Sequence, residues 1–133
     1  MKKQKTPRQK INPYFDKADK LVREITRKRD NNCCCMCGNP VEGSGSHPCH
    51  VYPKGTYMSM RWIPENIFTG CMHCHFYVWH ENPIPSTKWF EEKYPERASY
   101  LLELSNRIQK VDMAFMEYTI KLLKEHKDFQ NEG

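Results

Sequence analysis

The sequence predicts an α+β protein, with a small zinc-stabilised core held between an N-terminal helix and a C-terminal helical region. Three observations carry that prediction. Two Cys-x-x-Cys pairs, Cys34 with Cys37 and Cys71 with Cys74, frame the middle of a 133-residue chain. Between them Gly and Pro cut the chain into short segments without a helical period, whereas on both sides apolar residues recur every three or four positions. Only 38% of the residues are hydrophobic, so an apolar core alone would be thin. Domains of this size then usually rely on disulfides or a metal.

Residues 1–11 read as a basic flexible arm. Asn12-Pro13 resembles a helix start, with Asn as N-cap and Pro in the first turn, and Phe15, Ala18, Leu21, Val22 and Ile25 form its apolar stripe. The predicted helix spans 12–32 and ends in the turn-rich Asp30-Asn31-Asn32. Up to Asn32 there are eleven Lys and Arg against four acids, although the whole chain carries only +5. Such a start suits a polyanion such as nucleic acid, and equally a solvated tail. It predicts no secretory signal, and no apolar run approaches the ~18 residues of a membrane span. The expectation is a cytoplasmic protein with reduced thiols, where paired Cys-x-x-Cys motifs bind zinc more often than they form disulfides.

The core is predicted over 33–82. Cys34, Cys37, Cys71 and Cys74 would meet one zinc ion as a closed, structural tetrathiolate, with Gly38 suited to the turn of the first knuckle. Cys33 and Cys35 are alternatives to Cys34, although the Cys-x-x-Cys register favours Cys34. A helix is expected from Cys71 through Trp79, stopped by Pro83 and Pro85. In the region 83–133, Ser86 is expected to cap a helix carrying Trp89 and Phe90, and Pro95 to start another. Leu101, Leu104, Ile108, Val111, Phe115, Tyr118 and Leu122 then form a heptad-like seam, with a break possible between Ser105 and Asp112. Two readings stand for that stripe: packing on the zinc core, or homodimerisation.

His50, Asn66 and His75 sit between and just after the knuckles in the order of a His-Asn-His nuclease, which surrounds one divalent cation with a strand-end His, a loop Asn and a helical ligand. Phosphodiester hydrolysis needs a deprotonated water, for which an imidazole is a fitting general base. It also needs positive charge on the phosphate and leaving oxygens, which a cation supplies. His50 is expected as base, Asn66 as the residue that holds its loop, and His75 as ligand of the catalytic cation. Lys54, Arg61, Arg27 and Lys28 are candidate DNA contacts. His73 lies inside the knuckle. His80, five positions beyond His75, falls off the same face of an α-helix, and neither is expected at the site.

From about Arg29 to Tyr100 the chain resembles the phage Rap/NinG recombination proteins. The shared words are Arg29-Asp30, Cys34-x-x-Cys37-Gly38, His47-x-x-His50, Lys54-Gly55, Arg61-Trp62, Glu65-Asn66, Cys71-x-x-Cys74 and Glu81-Asn82. It is more distantly similar to phage endonuclease VII. The resemblance implies a His-Me finger (ββα-metal, treble-clef-like) fold and a phage- or prophage-encoded endonuclease acting on branched DNA such as Holliday junctions or D-loops. Its cofactors would be structural Zn and one Mg, Mn or Zn ion at the catalytic site. Three positions depart from that pattern. Cys49 replaces the acid that often precedes the base, and is either silent or biases the site towards zinc. His47 is then the preferred second ligand of the catalytic metal, where relatives often have Asp or His. His75 stands where near relatives tend to have Asn. Two other functions fit the same frame: a noncatalytic zinc module that binds DNA, and a protein–protein adaptor using the C-terminal stripe.

Overall fold

A computed structural model describes residues 3–132; Met1 and Lys2, at the start of the expected arm, lie outside the described residues. The fold is α+β and mostly helical, with one two-stranded sheet. Helix α1 spans Pro7–Arg29, so residues 7–11 of the expected arm are helical and the start at Asn12-Pro13 is corrected. The reason is a capping box: Thr6 Oγ1 accepts from the Gln9 N–H at 3.1 Å, while Gln9 Oε1 accepts from the Thr6 N–H at 2.9 Å. Pro7 occupies the first turn, and Pro13 sits inside the helix, where it forgoes one backbone hydrogen bond. Asn31 and Asn32 end the helix in left-handed conformation, which Asn tolerates better than most residues.

Ala18, Val22 and Ile25 form the buried face of α1, close to the expected stripe. They pack against Met116, Ile120 and Leu123 of α5 (Met113–Glu132), together with Trp62 and Ile67. The expected C-terminal seam is corrected in part: Leu101 is fully buried and Leu104, Val111 and Phe115 pack against the core, but the rest of the stripe does not. Its break is real, since no helix covers 106–112, and the chain turns there. Ile108 falls in that gap and is fully exposed, and Tyr118 and Leu122 face outward from α5.

Strands β1 (His47–His50) and β2 (Ile67–Gly70) pair antiparallel, with His47 opposite Gly70 and His50 opposite Ile67. Directly after β2, Cys71 caps α2 (Met72–Cys74) with its own sulfur, and the chain continues as a π-helical segment, His75–His80. Helices α3 (Pro83–Lys93) and α4 (Pro95–Ser105) follow. Ser86 is not a cap. It is buried in the first turn of α3 and donates to the Pro83 carbonyl at 2.9 Å. Phe68, Trp79, Trp89, Phe90 and Tyr94 gather into an aromatic cluster, with the Arg97 guanidinium 4.3 Å above the Phe68 ring. No described helix is long and apolar enough to cross a membrane.

Cys49 is fully buried in this cluster's core. Its sulfur fills the space beside Gly70, where an added Cβ would lie 2.5 Å from Sγ. Gly70→Ala should therefore destabilise the fold by about 1–3 kcal/mol, as overpacked cores do. Much of that cost should disappear in a Cys49→Ala background. Denaturant melts of the four proteins of this cycle check it, and an equal cost in both backgrounds would remove the contact from the explanation.

Candidate metal and active site

Cys34, Cys37, Cys71 and Cys74 place all four sulfurs within 4.8 Å of one another. The Cys37 and Cys71 sulfurs are 3.9 Å apart and no disulfide links them. A tetrahedral zinc thiolate with Zn–S of about 2.3 Å has edges of about 3.8 Å, so the four cysteines fit a structural zinc. The first knuckle turns at Gly38, whose φ is +77° and whose N–H donates to the Cys34 carbonyl at 2.9 Å. Burial opposes a Cys34 thiolate, but backbone N–H groups of Cys37, Cys71 and Met36 outweigh it and hold the pKa at about 7.

The remaining thiols lie outside the cluster. Cys33 donates towards the Asn31 carbonyl at 3.4 Å. Cys35 packs beside the aromatic cluster, where burial raises its pKa to about 12. Burial also raises that of Cys49, which points into the core and does not line the cleft described next.

One cleft of about 530 Å³ brings together His47, His50, Lys54, His75 and His80, with Arg23 at its wall. His50 ends β1, and its Nε2 lies 3.1 Å from the Arg61 carbonyl. A carbonyl only accepts, so Nε2 carries the hydrogen and Nδ1 keeps its lone pair in the neutral ring. Burial lowers the His50 pKa below the ordinary imidazole value, against the opposing effect of that hydrogen bond. The neutral, basic form is therefore the one present at pH 7.

Asn66 is fully buried outside the cleft. Its Oδ1 accepts from the Tyr52 N–H at 2.8 Å, and its Nδ2 donates to the carbonyls of Tyr52 and Met60 at 3.1 and 3.0 Å. Three hydrogen bonds thus pin the loop that leaves His50.

His75 follows Cys74 without a break, so the knuckle sets its place. Its ring centroid is 5.1 Å from that of His47 and 4.4 Å from that of His80. Burial first, then the neighbouring His80 and His47, lower its pKa to about 4. The expectation that His80 falls off this face is corrected: its Nε2 stands 3.0 Å from His75 Nε2. In a π-helix the bonds run from i to i+5, as from Glu81 N–H to the Phe76 carbonyl at 3.0 Å, and residues five apart share a face. The spacing His75-x-x-x-x-His80 was visible in the sequence, but the change of helical period was not.

The expected phosphate contacts divide. Lys54 lines the cleft. Arg27 does not line it, and its Nε donates to Ser46 Oγ at 3.1 Å. Arg61 is committed to Asp19, with Nε and Nη2 donating to the carboxylate at 3.0 and 2.6 Å, so it braces the fold. Lys28 is held by α5, donating to Asn131 Oδ1 at 2.7 Å and to the Gln130 carbonyl at 3.2 Å. Arg23, absent from the expected set, is the arginine that reaches the cleft. Its helical register, four residues before Arg27, was the available signal. Comparison of the chain with protein-family models, curated proteins and solved structures finds no match.

If the four sulfurs hold zinc, Cys71→Ser should reduce the metal content to well under one zinc per chain and abolish cooperative melting. Zinc analysis and circular dichroism check this. A folded variant with undiminished zinc would exclude the tetrathiolate.

Proposed function

We propose that the chain is a metal-dependent DNA endonuclease of the His-Asn-His (His-Me finger) type. The observation that carries this reading is the position of His50. A half-buried imidazole, fixed by a backbone carbonyl at one nitrogen and free at the other, shares a cleft with His47 and His75. The hairpin β1–β2 followed by the helical segment that bears His75 supplies the ββα order such a site requires.

Within this reading, Lys54 and Arg23 bind the phosphodiester through its non-bridging oxygens. A water beside His50 gives its proton to Nδ1 as its oxygen attacks phosphorus. The new P–O bond forms while the bond to the 3′ oxygen breaks, and a proton from solvent completes the 3′-hydroxyl opposite a 5′-phosphate. A divalent cation held by His47 and His75 would stabilise the negative charge on the phosphate and leaving oxygens. Asn66 acts through the backbone, keeping the loop after His50 in place, and is a positioning residue. Cys49, being in the core, takes no part.

The motifs shared with the Rap/NinG proteins make branched DNA the proposed substrate and phage recombination the proposed setting. Symmetric cleavage of a four-way junction takes two active sites. The outward face of α5 at Tyr118 and Leu122 is where two copies would meet.

His50→Ala should lower metal-dependent nicking of a four-way junction by about 10²- to 10⁴-fold, the usual contribution of a general base. Zinc content, melting and junction binding should stay unchanged. Equal cleavage by variant and wild type would exclude His50 as base. The pH profile offers a second check. The base works only when neutral and its pKa is lowered, so the nicking rate should fall on the acid side with a midpoint below about 6.5. It should be flat from pH 7 to 8. An acid limb centred well above pH 7 would contradict the assignment.

A further inference from the structure

We propose that His47, His75 and His80 form a three-imidazole site for a transition-metal ion of the Zn²⁺ or Co²⁺ class, and that Mg²⁺ is not its cation. This rests on the proposed nuclease cleft and deepens it by naming the third ligand and the class of metal.

The first support is the backbone. In an α-helix, residues five apart stand about 140° apart around the axis. The π-helical segment His75–His80 narrows that angle and brings the two rings together. Such segments are rare and concentrate at functional sites. The second support is the distance. The Nε2 atoms of His75 and His80 are 3.0 Å apart. Two nitrogens bound to one ion at about 2.0–2.1 Å are about 2.9–3.4 Å apart, from right-angle to tetrahedral geometry. His75 Nδ1 is buried without a partner, so Nε2 is the nitrogen that faces outward. His47, on β1, lies with its ring tilted beside that of His75, centroids 5.1 Å apart, and would complete the set by turning its ring.

The third support is what the cleft lacks. Among the described residues that line it there is no carboxylate, hydroxyl, amide or thiol side chain. Mg²⁺ demands oxygen ligands in near-octahedral order, whereas imidazole suits Zn²⁺ and its neighbours in the first transition row. An all-nitrogen donor set therefore selects the latter.

The test uses full-length protein carrying one zinc in its cysteine cluster, titrated with Zn²⁺, Co²⁺ or Mg²⁺ by calorimetry. Wild type should take up a second equivalent of Zn²⁺ or Co²⁺ and no Mg²⁺. Bound Co²⁺ should show visible d–d bands without the thiolate charge-transfer absorption of a cysteine site. His80→Ala should weaken the second equivalent by at least about 10- to 100-fold. Its melting in the one-zinc form should match wild type, because His80 is exposed. Unchanged affinity in His80→Ala, equal uptake of Mg²⁺, or no second equivalent would each overturn the site. A second ion bound through His80 by a protein that cuts no DNA would remove the nuclease and leave the site. Mg²⁺-supported cleavage indifferent to His80→Ala would do the reverse.

Discussion

Four sulfurs at one point are the constraint on which the rest of the structure depends. The knuckles they form lie 33 residues apart in the chain, and little apolar burial joins them, since Cys34, Val41 and Cys74 are the buried residues of that corner. Thiolates crowded this closely repel, so a structural metal such as zinc, held there, would turn the cluster from a cost into folding free energy. Once the second knuckle is fixed, its flanks are fixed with it. Strand β2 runs straight into Cys71, and His75 leaves straight from Cys74. The sheet, the helical segment and the histidine cleft thus inherit their positions from one small polyhedron.

Helix α1 braces that assembly through its acids. Asp30 holds Arg29 at 2.8 Å and accepts the Thr69 N–H at 2.9 Å, tying the end of the helix to β2. Asp19 takes Arg61 together with the Trp62 indole N–H at 2.8 Å, and Glu24 takes Lys127 at 2.5 Å. These pairs are half-exposed or better shielded, so their worth lies in fixing orientation more than in large stabilisation. They have an electrostatic consequence. With Asp19 and Glu24 engaged elsewhere, Lys20 and Arg23 have no salt-bridge partner among the described residues. The basic charge of the first quarter of the chain is thereby displayed along the helix towards the cleft, where Arg23 stands.

What could be read from the sequence were the features written in local spacing. Cys-x-x-Cys pairs, the glycine after the first of them, and His50 at a strand end depend on neighbours one to four residues away, and all lie where that logic put them. Features decided by competition between local signals were harder to read. Thr6-Pro7 with Gln9 outcompetes Asn12-Pro13 as a helix start because it satisfies two orphan donors at once. The C-terminal seam misled because a heptad count runs through 106–112 without sensing that the chain turns there. The buried face of α5 is Met116, Ile120 and Leu123, equally regular in sequence and chosen only by docking on α1. His80 was missed for a sharper reason. A period of 3.6 residues per turn sets His75 and His80 on different faces, and the structure departs from that period where it brings the two together.

Among the described residues that line the cleft there is no acid, and this shapes how the proposed chemistry would work. In many metal sites carboxylates neutralise the ion before substrate arrives. Here the position before His50 is Cys49, buried and uncharged, and the lining carries Arg23, Lys54 and four imidazoles. A dication entering this cleft adds charge to a surface that is already positive, so repulsion from Arg23 and Lys54 opposes it in free protein. A phosphodiester supplies the missing negative charge. Each of the two ligands then lowers the electrostatic cost of the other, and by linkage the gain must be equal in both directions. On the proposed function, cation and nucleic acid would reinforce one another's binding, and the ion that the free protein takes up would be held more tightly still where there is a phosphate to act upon.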